Sequence, residues 1–167
     1  MDNAASNGYL DIVKWLHVNR SEGCTYAAMD RAAANGHLDV LKWLHDNRSE
    51  GCTADAMDNA AASGDFKMVK WFLANRSESV AFTALVKAAK TGHLRLVRYL
   101  APHCAPRELE LGVREALNDE RFEVVLFLYS LSLNCGDGIG IQSVLSRAAL
   151  HFQDDTELRH WIDEKTK

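Results

Sequence analysis

The chain has 167 residues, room for one compact domain or a short array of repeats. It is 47% apolar and 25% charged, the balance of an ordinary folded protein, which excludes disordered, collagen-like and linker-like chains. A net charge of −4 argues against nucleic acid as a partner, and no apolar run nears the ~20 residues that a membrane span needs, so no membrane partner is expected.

Charge is segregated along the chain. Residues 1–78 carry eight basic and eleven acidic side chains, residues 79–107 five basic and none acidic, and residues 108–167 six basic and twelve acidic. A positive band lies between two negative ones. The opening Met1-Asp2-Asn3-Ala4 has neither the basic nor the apolar stretch of a secretory leader.

The elements repeat. Gly8, Gly36, Gly64 and Gly92 are 28 residues apart, as are Trp15, Trp43, Trp71, Tyr99 and Phe127, and residues 1–28 and 29–56 agree at 20 of 28 positions. The units run about 1–28, 29–56, 57–84, 85–112 and 113–140, with a divergent capping unit at 141–167. Met1 is the counterpart of Met29 and Met57, so the first unit begins partway into a helix. An uncapped end leaves apolar surface open, and the expectation is fraying, self-association or continuation of a longer array.

The second unit shows the pattern. Ala27–Asn35 is rich in Ala, Met and Arg and free of Gly and Pro, which predicts a short helix. Thr25, and Thr53 in the next unit, stand where a hydroxyl caps the first turn. Gly36 ends the helix in a left-handed conformation. A second helix, Leu38–Asn47, places Leu38, Leu41 and Leu44 on one face, widened by Val40 and Trp43. The tryptophan column is expected to fill the space between second helices, and the Ala-Ala pairs at 4–5, 32–33, 60–61 and 88–89 to let first helices approach closely. Later units decay: Glu120 replaces the glycine, and Gly136–Gly140 reads as a flexible insertion.

Such a hairpin cannot bury both its faces alone, but stacked copies can. The expected fold is an all-α solenoid of helix-turn-helix repeats, a single repeat domain in a right-handed or gently curved rod ~50 Å long.

Met29-Asp-Arg-Ala-Ala-Ala-Asn-Gly-His-Leu-Asp-Val-Leu-Lys-Trp-Leu resembles an ankyrin repeat, with Ala32-Ala33, Gly36-His37-Leu38 and Lys42 at the family's positions. Ala88-Ala89, Gly92-His93-Leu94 and Arg98 repeat the match, and the resemblance covers roughly residues 1–130. The Thr-Pro of the family pattern is missing, Met57-Asp58 stands for Leu-His, and the period is 28 rather than the usual ~33. The sequence therefore resembles a short variant without the projecting β-hairpin. The resemblance implies a protein–protein interaction scaffold that binds through its concave first-helix face.

No catalytic residues, metal site, cofactor or small-molecule substrate are expected. The chain lacks a nucleophile elbow, a phosphate loop and an HExxH motif, and Cys24, Cys52, Cys104 and Cys135 have no zinc spacing. Cys24 and Cys52, one repeat apart, should be ~8–10 Å from each other, too far for a disulfide, and read as small buried loop residues. Reduced thiols and the lack of a leader fit an intracellular location, cytoplasmic or nuclear. His37 and His93 are structural by the same resemblance, whereas His17 and His45 read as surface or loop-bonding residues. Asn19, Asn47 and Asn75 begin Asn-Arg-Ser sequons that duplication explains.

If packing fixes the template, binding lies where units differ. One first-helix row reads Asn3, Arg31, Asn59, Lys87, Glu115; the next reads Ser6, Ala34, Ala62, Lys90, Asn118; the third reads Asn7, Asn35, Ser63, Thr91, Asp119. The resemblance carries partner contact onto the last two rows, and the first lies one turn earlier. The candidate partner-binding residues are thus Arg31, Ala34, Asn35, Asn59, Ala62, Ser63, Lys87, Lys90, Thr91, Asn118 and Asp119. Lys87 and Lys90, i and i+3 in the positive band, are expected to receive an acidic segment of a partner protein. One competing reading is a non-binding structural stretch of a larger repeat array. Another is an enzyme whose site lies after Asn134.

Overall fold

A computed structural model describes residues 1–75, 81–134 and 160; the insertion at Gly136–Gly140 and the capping unit at 141–167, apart from His160, lie outside the described residues. Among the described residues there are helices and no strand, in five successive pairs. The pairs are α1 (Asp2–Ser6) with α2 (Leu10–Asn19), α3 (Tyr26–Ala34) with α4 (Leu38–Asn47), α5 (Asp55–Ala62) with α6 (Phe66–Asn75), α7 (Ala81–Thr91) with α8 (Leu94–Leu100), and α9 (Pro106–Asn118) with α10 (Phe122–Asn134). A 3-10 turn, Ala101–His103, follows α8. Each first helix packs on its own second helix and on the first helices before and after it, the single-file contact of a solenoid.

Alanine makes that contact possible. Ala5, Ala32, Ala33, Ala60, Ala61, Ala88, Ala89 and Ala116 are fully buried, so first helices of neighbouring pairs approach closely, with Met29, Met57 and Leu85 buried beside the alanines. The second helices supply bulk through Val13, Leu41, Leu44, Phe72, Val97, Leu100 and Leu128. Gly8, Gly36, Gly64 and Gly92 all take positive φ, between 73° and 84°, and turn the chain from first helix to second. In the fifth pair Glu120 adopts the same left-handed geometry at φ 59°, which an L side chain disfavours.

The tryptophan column differs from expectation. Trp15 is 55% exposed, and Trp43 and Trp71 are half-buried on the shoulder of the core. The neighbouring positions, Val40 with Leu41 and Met68 with Val69, take the centre of each ridge, where a branched or flexible chain fits between close helices. The indoles cover the outer edge. His17 meets the face or edge of Trp43 at 5.2 Å and His45 that of Trp71 at 5.0 Å, both near perpendicular, so each histidine joins its unit to the next.

Polar bonds also join each helical pair to the start of the next. Asp2 accepts from the Thr25 backbone N–H at 3.0 Å and hydroxyl at 2.7 Å, and Asp30 from the Thr53 N–H and hydroxyl, both at 2.8 Å. Each threonine oxygen in turn accepts a first-turn amide, that of Ala27 or Asp55, as capping predicts. Asn19, Asn47 and Asn75 donate to the carbonyls of Trp15, Trp43 and Trp71 at 2.8–2.9 Å and close the ends of the second helices.

Helix α2 carries an exposed apolar stripe. Ile12 is 49% exposed, whereas its counterparts Val40, Met68, Leu96 and Val124 are buried. Tyr9, Trp15 and Val18 extend this stripe along α2.

Candidate functional site

The residue after each repeat glycine covers the turn of the preceding unit. His37 lies on Gly8, His93 on Gly64 and Arg121 on Gly92, so close that an added Cβ would fall 2.5, 2.7 and 2.9 Å from them. His93 Nε2 sits 3.0 Å from the Ala62 carbonyl, which can only accept, so that nitrogen carries a proton. Arg121 donates to the Lys90 carbonyl at 3.3 Å. These contacts fix the C-terminal ends of the first helices, where the candidate rows stand.

Arg31, Ala34, Asn35, Asn59, Ser63, Lys87, Lys90, Thr91 and Asn118 are exposed, while Ala62 and Asp119 are half-buried. The rows therefore form one outward surface, but several members are bonded within it. Asn35 donates to the Ser6 carbonyl at 2.8 Å and lies 3.1 Å from its hydroxyl. Arg31 reaches Asn3 at 3.4 Å, and Ser63 donates to the Ala60 carbonyl at 3.1 Å. Thr91 donates to the Lys87 carbonyl at 2.9 Å, which leaves its hydroxyl only as an acceptor for a partner.

The lysine pair has acidic company. Lys90 Nζ lies 3.9 Å from Glu115, in an ion pair whose lysine is half-exposed. Burial pushes the Asp58 carboxyl above the usual carboxylate range, against the lowering influence of Thr83 and then of Lys87 nearby. An exposed ion pair contributes only ~0–1 kcal/mol, so a partner's carboxylate can replace Glu115 at small cost.

The cysteines show no reactive setting. Cys24, Cys52 and Cys104 are half-buried; for Cys24 and Cys52, expected as small buried loop residues, this is because the loops that carry them lie at the rim of the stack. Burial, then Glu108, pushes the Cys104 thiol up to about 11. Burial also raises Cys24, helped by Glu50 and opposed by Arg48. The Arg48–Glu50 pair holds the Glu50 carboxyl below its ordinary value. Among the described residues no His, Cys, Asp and Glu group could hold a metal, and no helix is long and apolar enough to cross a membrane.

One charge pattern escaped the reading of first-helix rows. At one second-helix position the units carry Asp11, Asp39, Lys67, Arg95 and Glu123. Three residues on, they carry Lys14, Lys42, Lys70, Arg98 and Leu126. The third and fourth units alone are positive at both. The signal was the same departure from template that singled out Lys87 and Lys90.

The family model for ankyrin repeats (many copies) matches residues 1–45 and 29–73. The helical pairs within residues 1–73 are thus ankyrin repeats, in a short form without strands among the described residues, and the later pairs continue the same 28-residue plan. Such repeats are generally protein–protein interaction modules, and the family is typically non-enzymatic. No curated protein matches the chain.

Proposed function

We propose that this protein is an intracellular interaction scaffold whose partner protein lies across the first helices. The observation that carries the reading is the division of labour in those helices. Their Ala-Ala pairs are fully buried and alike in the second, third and fourth units, while the positions beside them, among them Arg31, Asn59, Lys87 and Lys90, are exposed and differ. A rigid row of varied polar groups suits recognition because little is ordered on binding. Successive first helices also pack more closely than second helices do, which favours the first-helix row as the inner side of any bend. Lys87 and Lys90 take an acidic group of the partner in exchange for Glu115.

The test is capture of partners by the wild-type chain, followed by direct binding with K87E/K90E and R31E/N59R. Loss of a partner with both first-helix variants supports the reading. A partner held equally by wild type and both variants would overturn it. Self-association through the first pair is a second reading, favoured by the exposed Ile12, Trp15 and Val18. It requires a mass that rises with concentration and that I12D returns to a monomer.

A further inference from the structure

The first-helix lysines of the fourth unit have carboxylates beside them, one in an ion pair; a second set of cations, on the second helices of the third and fourth units, forms no ion pair among the described residues. α6 and α8 contain no acidic residue. Their exposed side chains include Lys67 and Lys70 on α6 and Arg95 and Arg98 on α8, at matching positions one repeat apart. Among the described residues none of the four makes an ion pair. All four point away from the core residues Met68, Val69, Phe72, Leu96, Val97 and Leu100, so they share one outer face.

Aromatic rings order this face. The Arg95 guanidinium lies 4.4 Å from the centre of the Phe66 ring, and Phe66 packs on Tyr99 at 5.0 Å. Arg98 lies 5.2 Å from the Phe127 ring. A guanidinium resting on a ring is held in place yet keeps its N–H donors for a carboxylate. Beside Arg98 an open groove is lined by Leu94, Glu123, Leu126, Phe127 and Ser130. Lys67 borders a second groove with Lys42, Asp39 and Asp65, where Asp65 already accepts the Met68 N–H at 3.0 Å.

We propose that the outer face of α6 and α8, with Lys67, Lys70, Arg95 and Arg98 as its cations, docks an acidic, extended segment of a protein. This rests on the reading of the chain as an interaction scaffold and adds a second surface to it. Charge complementarity and size select the occupant. Neighbouring repeats are ~10 Å apart, and three residues of a polyproline-type extended chain cover ~9 Å, so acids at every third position meet successive repeats. The positive zone is two units wide. A longer polyanion, such as nucleic acid or an anionic bilayer, would continue past it onto Asp39 and Asp11 on one side and Glu123 on the other.

The test uses the whole chain and a fluorescent peptide of four Glu-Pro-Pro units, with Gln-Pro-Pro as control, by anisotropy at low and moderate salt. K67D/R95D restores the residue that Asp11 and Asp39 already place there, so folding, checked by circular dichroism, is retained. It should lower affinity for the acidic peptide at least tenfold and flatten the salt dependence, and K67Q/R95Q should give a smaller loss. K87E/K90E, on the other face, should change affinity less than twofold. The proposal is overturned if K67D/R95D binds within twofold of wild type, if the wild type does not distinguish Glu-Pro-Pro from Gln-Pro-Pro, or if K87E/K90E alone removes binding. Tighter binding of an oligonucleotide or of phosphatidylserine vesicles than of the peptide overturns it as well. Retention of the captured partner by K87E/K90E would count against the first-helix reading and leave this surface standing.

Discussion

Asp30 makes the sharpest prediction about what holds the repeats together. Its two oxygens accept the Thr53 N–H and hydroxyl between one helical pair and the next, both at 2.8 Å and both partly buried. Hydrogen bonds to a charged group contribute about 1.5–3 kcal/mol each when shielded, and water recovers part of that at a half-buried site. Asp30→Ala should therefore destabilise the chain by about 2–3 kcal/mol. The same bonds at Asp2 and Thr25 are exposed, so Asp2→Ala should cost only about 1 kcal/mol. Urea unfolding followed by far-UV circular dichroism gives both values. A cycle with Thr53→Ala separates the pair from the threonine's capping bond to Asp55, which is lost with or without Asp30. Equal losses for Asp30→Ala and Asp2→Ala, or a coupling energy near zero between Asp30 and Thr53, would refute the idea that this pair clamps neighbouring helical pairs.

Glu120→Gly should stabilise the fifth pair by about 0.5–1 kcal/mol, since it relieves a left-handed φ of 59° at some gain in unfolded-state entropy; hydrogen exchange in α9 and α10 reads it. Gly8→Ala and Gly36→Ala share the backbone strain, but only the first drives a Cβ to 2.5 Å from His37, while the second meets nothing nearer than Asp65 at 3.7 Å. Gly8→Ala should thus lower the melting temperature more than Gly36→Ala. With its thiol pushed up to about 11, Cys104 should react with iodoacetamide at pH 8 about 100-fold more slowly in the folded chain than in urea. The raised value favours the protonated thiol in the folded state, so its contribution to stability is full below pH 9 and fades as pH rises toward 11.

The fold was legible because repetition converts weak local signals into a strong one. A single Gly after a short alanine-rich stretch is ambiguous, but four of them 28 residues apart define a turn, and the predicted Leu38–Asn47 helix has the observed bounds. The tryptophans were misplaced because helical periodicity gives a face and not a depth. Trp43 and Val40 are i+3 neighbours on α4, and only packing decides which occupies the centre. The bonds of Asp2 and Asp30 to the threonines were missed although both residue types recur, since their partners lie 23 residues away at the start of the next helical pair.

The surface was legible in its rows but not in its pairings. Lys90 meets Glu115, which belongs to a different row of the next unit, so comparison down columns could not reveal it. The same limit explains why the outer face was overlooked. Arg98 merely repeats Lys14, Lys42 and Lys70, and its meaning changes only when Arg95 beside it replaces the template aspartate. Counted by unit rather than by column, positive charge enters the second helices of the third and fourth repeats, at Lys67, Lys70, Arg95 and Arg98, and the first helix of the fourth, at Lys87 and Lys90. Substitutions that served solubility alone would have no reason to gather in two adjacent repeats of an acidic chain. A partner that touches the outer face of both repeats and the first helix of the fourth would, and loss of affinity with K67D/R95D and with K87E/K90E, each independently, is what that arrangement requires.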